Sequence, residues 1–345
     1  MDLTIAAILG LDGLTNGAIY ALVALALVLV FSVTRIIFIP QGEFVAFGAL
    51  TLASLQMGKL PGTVWLLLIL AVAAAALDLV QAVRERWEAG RIVRRLGGSL
   101  VAPAAIAALT YGLTPTQPSL IVQVGLTLAI VTAMGPLLYR LAYRALSGAS
   151  VLTLLIVSVG VHFALTGIGL VFFGAEGYRT PAFWDARFDV GPLSLTGQTL
   201  IIFGASVVLL LAMFLFFERT LMGKALRATS VNRTGARLMG ISGDSAGSLS
   251  FTMAAFIGAL SGLLISPSTT IYYDTGFLIG LKGFVAAVFA GLASFPMALG
   301  GAIGVGLIES FGSFYASAFK EVIVFTVILP ILLWRSFVDP HHEEH

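Results

Sequence analysis

Glu43, Asp78, Lys282 and Glu309 each lie within a long apolar stretch, and His162 stands alone in another. Carboxylates, an ammonium and an imidazole in such surroundings can pair, relay protons or couple an ion to transport. A charge left bare in hydrocarbon costs on the order of 2.5–3.5 kcal/mol on insertion scales. Each therefore needs a partner, a watery cavity or a route to the interface. Lys282 and Glu309 sit on stretches joined by one turn, so a mutual ion pair is open to them; Lys282 can also snorkel to the interface. His162 reads as a helix-packing hydrogen bonder. The charges fall on scattered stretches, with no cluster at one depth of the kind a membrane enzyme would use.

Other chemistries lack their residues. Gly223-Lys224 is followed by Ala225 and preceded by no glycine-rich strand-to-helix turn, so there is no P-loop. No His-Glu-x-x-His occurs. Cysteine is absent, which excludes disulfides, thiolate metal sites and cysteine nucleophiles. The tail His341-His342-Glu343-Glu344-His345 has metal-binding composition but reads as a solvated terminus. The chain is expected to be non-catalytic, with no metal or cofactor of its own.

The elements that must position these residues follow from composition. Of 345 residues 59% are hydrophobic and only 10% charged, with a mean hydropathy of +1.02. So few charges cannot cover the surface of a soluble globule of this size. Lipid is the solvent that fits. Net charge is +2 and the pI about 9.0, which fits basic loops at one membrane face and makes no case for nucleic acid binding.

A hydrocarbon core about 30 Å thick takes roughly 20 helical residues. Eleven apolar segments are read: 15–33, 42–57, 63–83, 99–113, 119–139, 151–173, 199–217, 247–267, 278–292, 297–315 and 321–335. They are continuously apolar, which excludes an alternating β-barrel and predicts an all-α polytopic bundle within a single domain, 1–345. The segments 42–57, 99–113 and 278–292 are short enough to be tilted, broken or re-entrant. Pro40-Gln41-Gly42-Glu43 marks one break. There two half-helices can meet, with Gly42 and Glu43 opening the second half and offering free backbone N–H groups. Glu43 can alternatively cap that start.

Placing the loop 84–95 in the cytoplasm puts 14 of the 19 basic residues there: Arg35, Arg84, Arg86, Arg91, Arg94, Arg95, Arg140, Arg144, Arg219, Lys224, Arg227, Arg233, Arg237 and Arg335. Lys59, Arg179, Arg187 and Lys320 fall outside. The N-terminus is then external and the C-terminus cytoplasmic. The first 14 residues lack a basic n-region and do not resemble a cleaved signal peptide. The external loop 174–198 combines charges with Tyr178, Phe183, Trp184 and Phe188, as an interfacial anchor or a docking surface would. The internal stretch 218–245 is too polar to span. The glycine pairs Gly258/Gly262, Gly276/Gly280 and Gly300/Gly304 form GxxxG faces for close helix packing, static or mobile.

Four stretches carry a resemblance: GAIYALVALALVLVFSVTRIIFIPQGEFVAFGAL (17–50), LYRLAYRALSGASVLTLLIVSVGVH (138–162), ERTLMGKALRATSVNRTGARLMGIS (218–242) and LKGFVAAVFAGLASFPMALGGAIGVGLIES (281–310). Their joint occurrence and order resemble the inner-membrane permease subunits of ABC importers for branched-chain amino acids. The resemblance implies a second homologous permease subunit, two cytoplasmic ATPase subunits that hold ATP and Mg2+, and a periplasmic substrate-binding protein. It also makes 219–241 the segment that couples to the ATPases, with Arg219, Gly223, Arg227, Arg233, Arg237, Leu238, Met239 and Gly240 as candidate contacts. Arg227, Arg233 and Arg237 would face the partner while Leu221, Leu226, Leu238 and Met239 bury an apolar face. Gln41, Gly42, Glu43, Lys282 and Glu309 are the candidates for the translocation path.

Two features depart from the family. Gln41-Gly42-Glu43 stands where relatives usually read His-Gly-Glu. Residues 61–118 look like an insertion with an added hairpin, in which 84–97, containing Trp87, Ile92, Val93 and Leu96 among arginines, reads as a basic interfacial helix. The family default substrate is a branched-chain amino acid, with other small polar solutes known among related permeases. An ion-coupled transporter or channel using Glu43, Asp78, Lys282 and Glu309 is the rival reading.

Overall fold

The computed structural model describes residues 3–86, 88–191, 193–327, 329–331 and 333. Trp87, Arg335 and the His341–His345 tail lie outside them. Thirteen α-helices are present among the described residues. They are α1 Leu3–Thr34, α2 Gln41–Gln56, α3 Gly62–Glu85, α4 Ala89–Leu113, α5 Leu120–Leu138, α6 Val151–Phe173, α7 Gly197–Arg219, α8 Leu221–Val231, α9 Arg233–Leu238, α10 Gly243–Ile265, α11 Thr275–Phe289, α12 Phe295–Ala316 and α13 Lys320–Thr326. The protein is an all-α, multi-pass helical bundle.

Eight helical runs are long and apolar enough to cross a membrane, against the eleven segments read from sequence. The difference has a physical cause. α2 has 16 residues and α11 has 15, about 24 and 22 Å at 1.5 Å per residue, too short to cross alone. The segment 297–315 and the first part of 321–335 fall in one run, Phe295–Ile331.

α1, α2 and α10 form the core. Nearly the whole of α2 is buried, and Leu22 to Val30 of α1 are almost inaccessible. Glycine makes the close packing possible. A Cβ on Gly13, Gly17 or Gly306 would meet facing backbone of α1 or α12 within 2.9 Å. Gly258 and Gly262 press on α2 in the same way, whereas Gly300 and Gly304 face open space. Of the three GxxxG faces, the last packs on nothing among the described residues.

α3 is integral to the bundle. Val64, Leu66, Leu67, Ala71 and Ala74 are buried, and Thr51 and Thr63 share a 2.7 Å hydrogen bond. α4 is more peripheral, with Val101, Leu109 and Tyr111 exposed. Arg86 takes a left-handed φ of 49° and ends α3, and α4 begins at Ala89. The expected single interfacial helix over 84–97 is therefore divided between the end of α3 and the start of α4. Asp78 pairs with Arg140 in a turn of π-helix after α5; Arg140 Nη1 also donates to Ser99 at 2.9 Å. This triad fastens α3 and α4 to α5.

The stretch 174–198, expected only as a loop, contains a β-hairpin, Arg187–Val190 with Leu193–Thr196. Trp184 and Phe188 stack edge-on at 5.3 Å and are half exposed. Farther back, Tyr178 and Ile271 exchange backbone hydrogen bonds, and Arg179 Nε donates to Pro267 O at 2.8 Å. The loop thus clamps the chain between α10 and α11.

Candidate functional site

α1 ends at Thr34, and 35–40 continues without helical structure into the bundle, with Ile36 and Phe38 buried. Phe38 packs edge-on to Phe251 at 4.7 Å and to Tyr143 at 5.9 Å. α2 then starts at Gln41, whose Nε2 donates to Ala254 O at 3.0 Å. Ala254 lies halfway along α10, so α2 is a half-helix beginning at mid-depth. A Cβ on Gly258 would strike Phe44 and one on Gly262 would strike Ala49 N; with Gln41 at Ala254, the contacts advance together, so α2 runs alongside α10 in the same direction.

The stretch 266–274 repeats this design in reverse. It re-enters after α10, and α11 begins at Thr275. A Cβ on Gly42 would overlap Gly276 O and lie 3.1 Å from Gly280 Cα. A Cβ on Gly276 would overlap Gly42 O and lie 3.1 Å from Ala46. The starts of α2 and α11 therefore cross at bare backbone and run apart in opposite directions. This is the geometry of an inverted pair of broken helices; the free N–H groups expected at Glu43 are not found, because Gln41 N and Glu43 N donate to Phe38 O and Pro40 O at 3.2 Å, as Thr275 N and Phe277 N do to Tyr272 O and Asp274 O.

Glu43 emerges at this crossing. Its Oε1 lies 2.6 Å from His162 Nδ1 on α6, and both side chains are buried. Oε2 has no hydrogen-bond partner among the described residues, and neither has Oε1 of Gln41. His162 also lies against Phe277 at 4.7 Å between ring centres. α11 turns Phe277, Leu278 and Leu281 toward the exterior beside His162 and the exposed Phe163. His162 therefore makes a helix-packing hydrogen bond, as its isolated place in an apolar stretch suggested, with a partner 119 residues away in sequence.

A second polar cluster holds the other two path candidates. Lys282 Nζ lies 2.5 Å from Glu309 Oε1 and 3.1 Å from Glu321 Oε1. Tyr20 donates to Glu309 Oε2 at 2.5 Å. The mutual pair open to Lys282 and Glu309 is formed, and snorkelling is not. Tyr20 and Glu321 belong to the cluster without any sequence signal, since neither is a charge stranded inside an apolar stretch. Lys282 is enclosed by α1, α11, α12 and α13, so it acts as a tie among helices. The view that no ionisable residues cluster is corrected by these two groups together.

The polar stretch after α7 forms two short helices in a row. Thr220 Oγ1 accepts from Gly223 N at 2.9 Å and caps α8; Asn232 Oδ1 accepts from Gly235 N at 2.8 Å and caps α9. Gly223 is required there, since a Cβ would overlap Phe216 O. Gly240 takes φ +84°, and Ile241 N returns to Ala236 O, closing α9 with a left-handed turn. The expected division of faces is reversed in part. Leu226 is buried, but Leu221, Leu238 and Met239 are 83–87% exposed. Arg233 turns inward and donates to Val33 O at 2.6 Å. Burial, and then the guanidiniums of Arg35 and Arg237, hold its pKa below the usual arginine value. Arg227 pairs with Glu218 at 2.8 Å in the open, where such a pair contributes little. Arg219 is exposed at the end of α7.

Residues 96–332 match the family described as "Branched-chain amino acid transport system / permease component". The "High-affinity branched-chain amino acid transport system permease protein BraD" of Pseudomonas aeruginosa is 28% identical over 246 residues, covering 69% of this chain and 80% of that protein. The similarly named LivH of Escherichia coli K12 is 30% identical over 223 residues, 62% of this chain and 72% of its own. A probable LivH of Methanocaldococcus jannaschii is 28% identical over 204 residues, 56% and 65% respectively. No solved structure matches. The matched region takes in the second polar cluster except Tyr20, α6 with His162, and both short helices, and it covers well over half the chain; the protein belongs to the permease-component family of branched-chain amino acid transport systems.

Proposed function

We propose that the chain is the membrane-embedded permease subunit of an ABC importer in an inner membrane, carrying branched-chain amino acids or a related small polar solute. It makes no covalent bond. ATP and Mg2+ belong to two separate cytoplasmic ATPase subunits, a periplasmic binding protein delivers the solute, and a second homologous permease completes the pore. The end bearing α8 and α9 faces the cytoplasm, as does the C-terminus, and the N-terminus and the β-hairpin face the periplasm. The whole chain acts as one transmembrane domain, with 218–245 as its coupling segment and 61–118 as an insertion whose peripheral part is α4.

The observation that carries this reading is the exposure of Leu221, Leu238 and Met239 on a capped, glycine-closed pair of short helices at the basic end. Large apolar side chains held out on a rigid polar segment fit a protein partner's groove. The path runs along the face where Glu43–His162 and Phe277 meet the start of α2, and ATPase movement at α8–α9 reaches it through the Arg233–Val33 hydrogen bond to α1. Gln41, Gly42 and Glu43 belong to the path, and Lys282 with Glu309 is a tie behind it. The test is uptake of labelled leucine, isoleucine and valine into proteoliposomes holding the permease pair and ATPases, with the binding protein outside. ATP-dependent uptake is expected. Uptake that runs on an ion gradient without ATP overturns the reading.

A further inference from the structure

A cavity of about 480 Å3 opens at the basic end, between the end of α1, the turn after α5, α9 and the start of α10. Arg144, Arg233 and Arg237 line it, and among the described residues its only acidic lining residue is Asp244. Asp244 is taken by Arg144, Nε to Oδ2 at 2.9 Å. Among the described residues no carboxylate lies within ion-pair distance of Arg233 or Arg237. The start of α10, capped by Ser242, borders the same cavity and adds the positive end of a 23-residue helix.

Two guanidiniums brought together at a helix start repel unless an anion joins them. Burial, and then the charges of Arg35 and Arg237, already disfavour the charged form of Arg233. Arg233 is half-buried and spends one guanidinium donor on Val33 O, which leaves its others, and those of the exposed Arg237, to the cavity. Guanidinium forks match the oxygens of a phosphate better than a point charge does. We infer that this cavity is a binding site for a phosphate-bearing anion, held by Arg233 and Arg237 beneath the short helices α8 and α9. The phosphate can come from a lipid headgroup or from solution; either would brace α9 against α1 and α10.

The test uses the full permease chain, delipidated in neutral detergent, with melting temperature as readout. One arm titrates inorganic phosphate against chloride at constant ionic strength. The other adds phosphatidylglycerol or, as control, a neutral galactolipid to the micelles. Wild type should gain about 3–5 °C at a hundredfold excess over Kd. Arg237→Gln should lose that gain, and Arg237→Lys should keep part of it. A gain with phosphate only assigns a soluble ligand, and a gain with phosphatidylglycerol only assigns a lipid. No gain with either probe, or an equal gain in Arg237→Gln, overturns the site. A gain that disappears once ATPase subunits are bound also overturns it, since the cavity would then be a socket for their carboxylates.

Discussion

Glu43 Oε1 and His162 Nδ1 lie 2.6 Å apart and join the start of half-helix α2 to the middle of α6. The bond fixes a carboxylate where α2 crosses α11, with its other oxygen unanswered. Removing one member leaves the other's buried hydrogen-bonding group unsatisfied, at about 1–3 kcal/mol. Glu43→Ala and His162→Ala should each lower the melting temperature in detergent and reduce uptake. The double variant should lose less than the sum. Strictly additive losses in a double-mutant cycle would show that the two residues act apart.

The second cluster predicts an asymmetry. Lys282 serves two carboxylates, so Lys282→Met strands both Glu309 and Glu321. Glu309→Gln leaves the ammonium paired with Glu321, and the amide oxygen that replaces the carboxylate can still accept from Tyr20. Folded yield on size-exclusion chromatography should therefore fall further for Lys282→Met. The combined variant should recover part of that loss. Equal losses would contradict the three-way arrangement.

The crossing of α2 and α11 is a steric prediction. Gly42→Ala places a methyl on top of Gly276 O, and backbone must move. Uptake should drop by at least about tenfold, with a lower melting temperature, since a small misplacement of the path can cost that much or more. Gly300→Ala meets nothing within 4 Å and should leave stability within about 0.5 kcal/mol, as surface substitutions do. A harmless Gly42→Ala would show that the half-helices are not in contact during transport.

Much of this is legible in residue order. The apolar runs locate the helices, and Pro40-Gln41-Gly42-Glu43 marks the break before α2. Its counterpart at 266–274 is hidden, because Ser266 to Asp274 reads as an ordinary loop between two apolar segments. Pairings across 119 or 289 residues, such as Glu43–His162 and Tyr20–Glu309, leave no local signature. Amphipathic spacing in 219–241 foretells helices but not which face turns outward. The cap at Asn232 splits that stretch into α8 and α9 and rotates Leu238 and Met239 into the open.

Orientation is tested with single cysteines, since the chain has none of its own. Ser230 lies on α8 and Ala182 before the β-hairpin, at opposite ends of α7. An impermeant maleimide should label Ala182→Cys in intact cells and Ser230→Cys only after permeabilisation. Labelling of both from outside would reject the cytoplasmic placement of α8 and α9.

The exposed apolar pair on α9 gives the sharpest test of coupling. Leu238 and Met239 are each 83% exposed, so neither contributes appreciably to the chain's own core. Replacing both with Asp removes apolar surface that a partner would bury and puts two charges into the contact. Burying an unpaired charge is far costlier than losing an apolar contact. The permease should insert and melt as wild type, because the buried residues Leu226 and Ala236 and the caps at Thr220 and Asn232 are untouched. ATPase subunits should be lost on co-purification, and ATP-driven uptake should fall to background. Ser230→Ala is the contrasting control, since among the described residues its hydroxyl bonds only to the Arg227 carbonyl of its own helix; it should retain most ATPase. Stoichiometric ATPase and normal uptake in the double Asp variant would place the coupling contact elsewhere on the basic end.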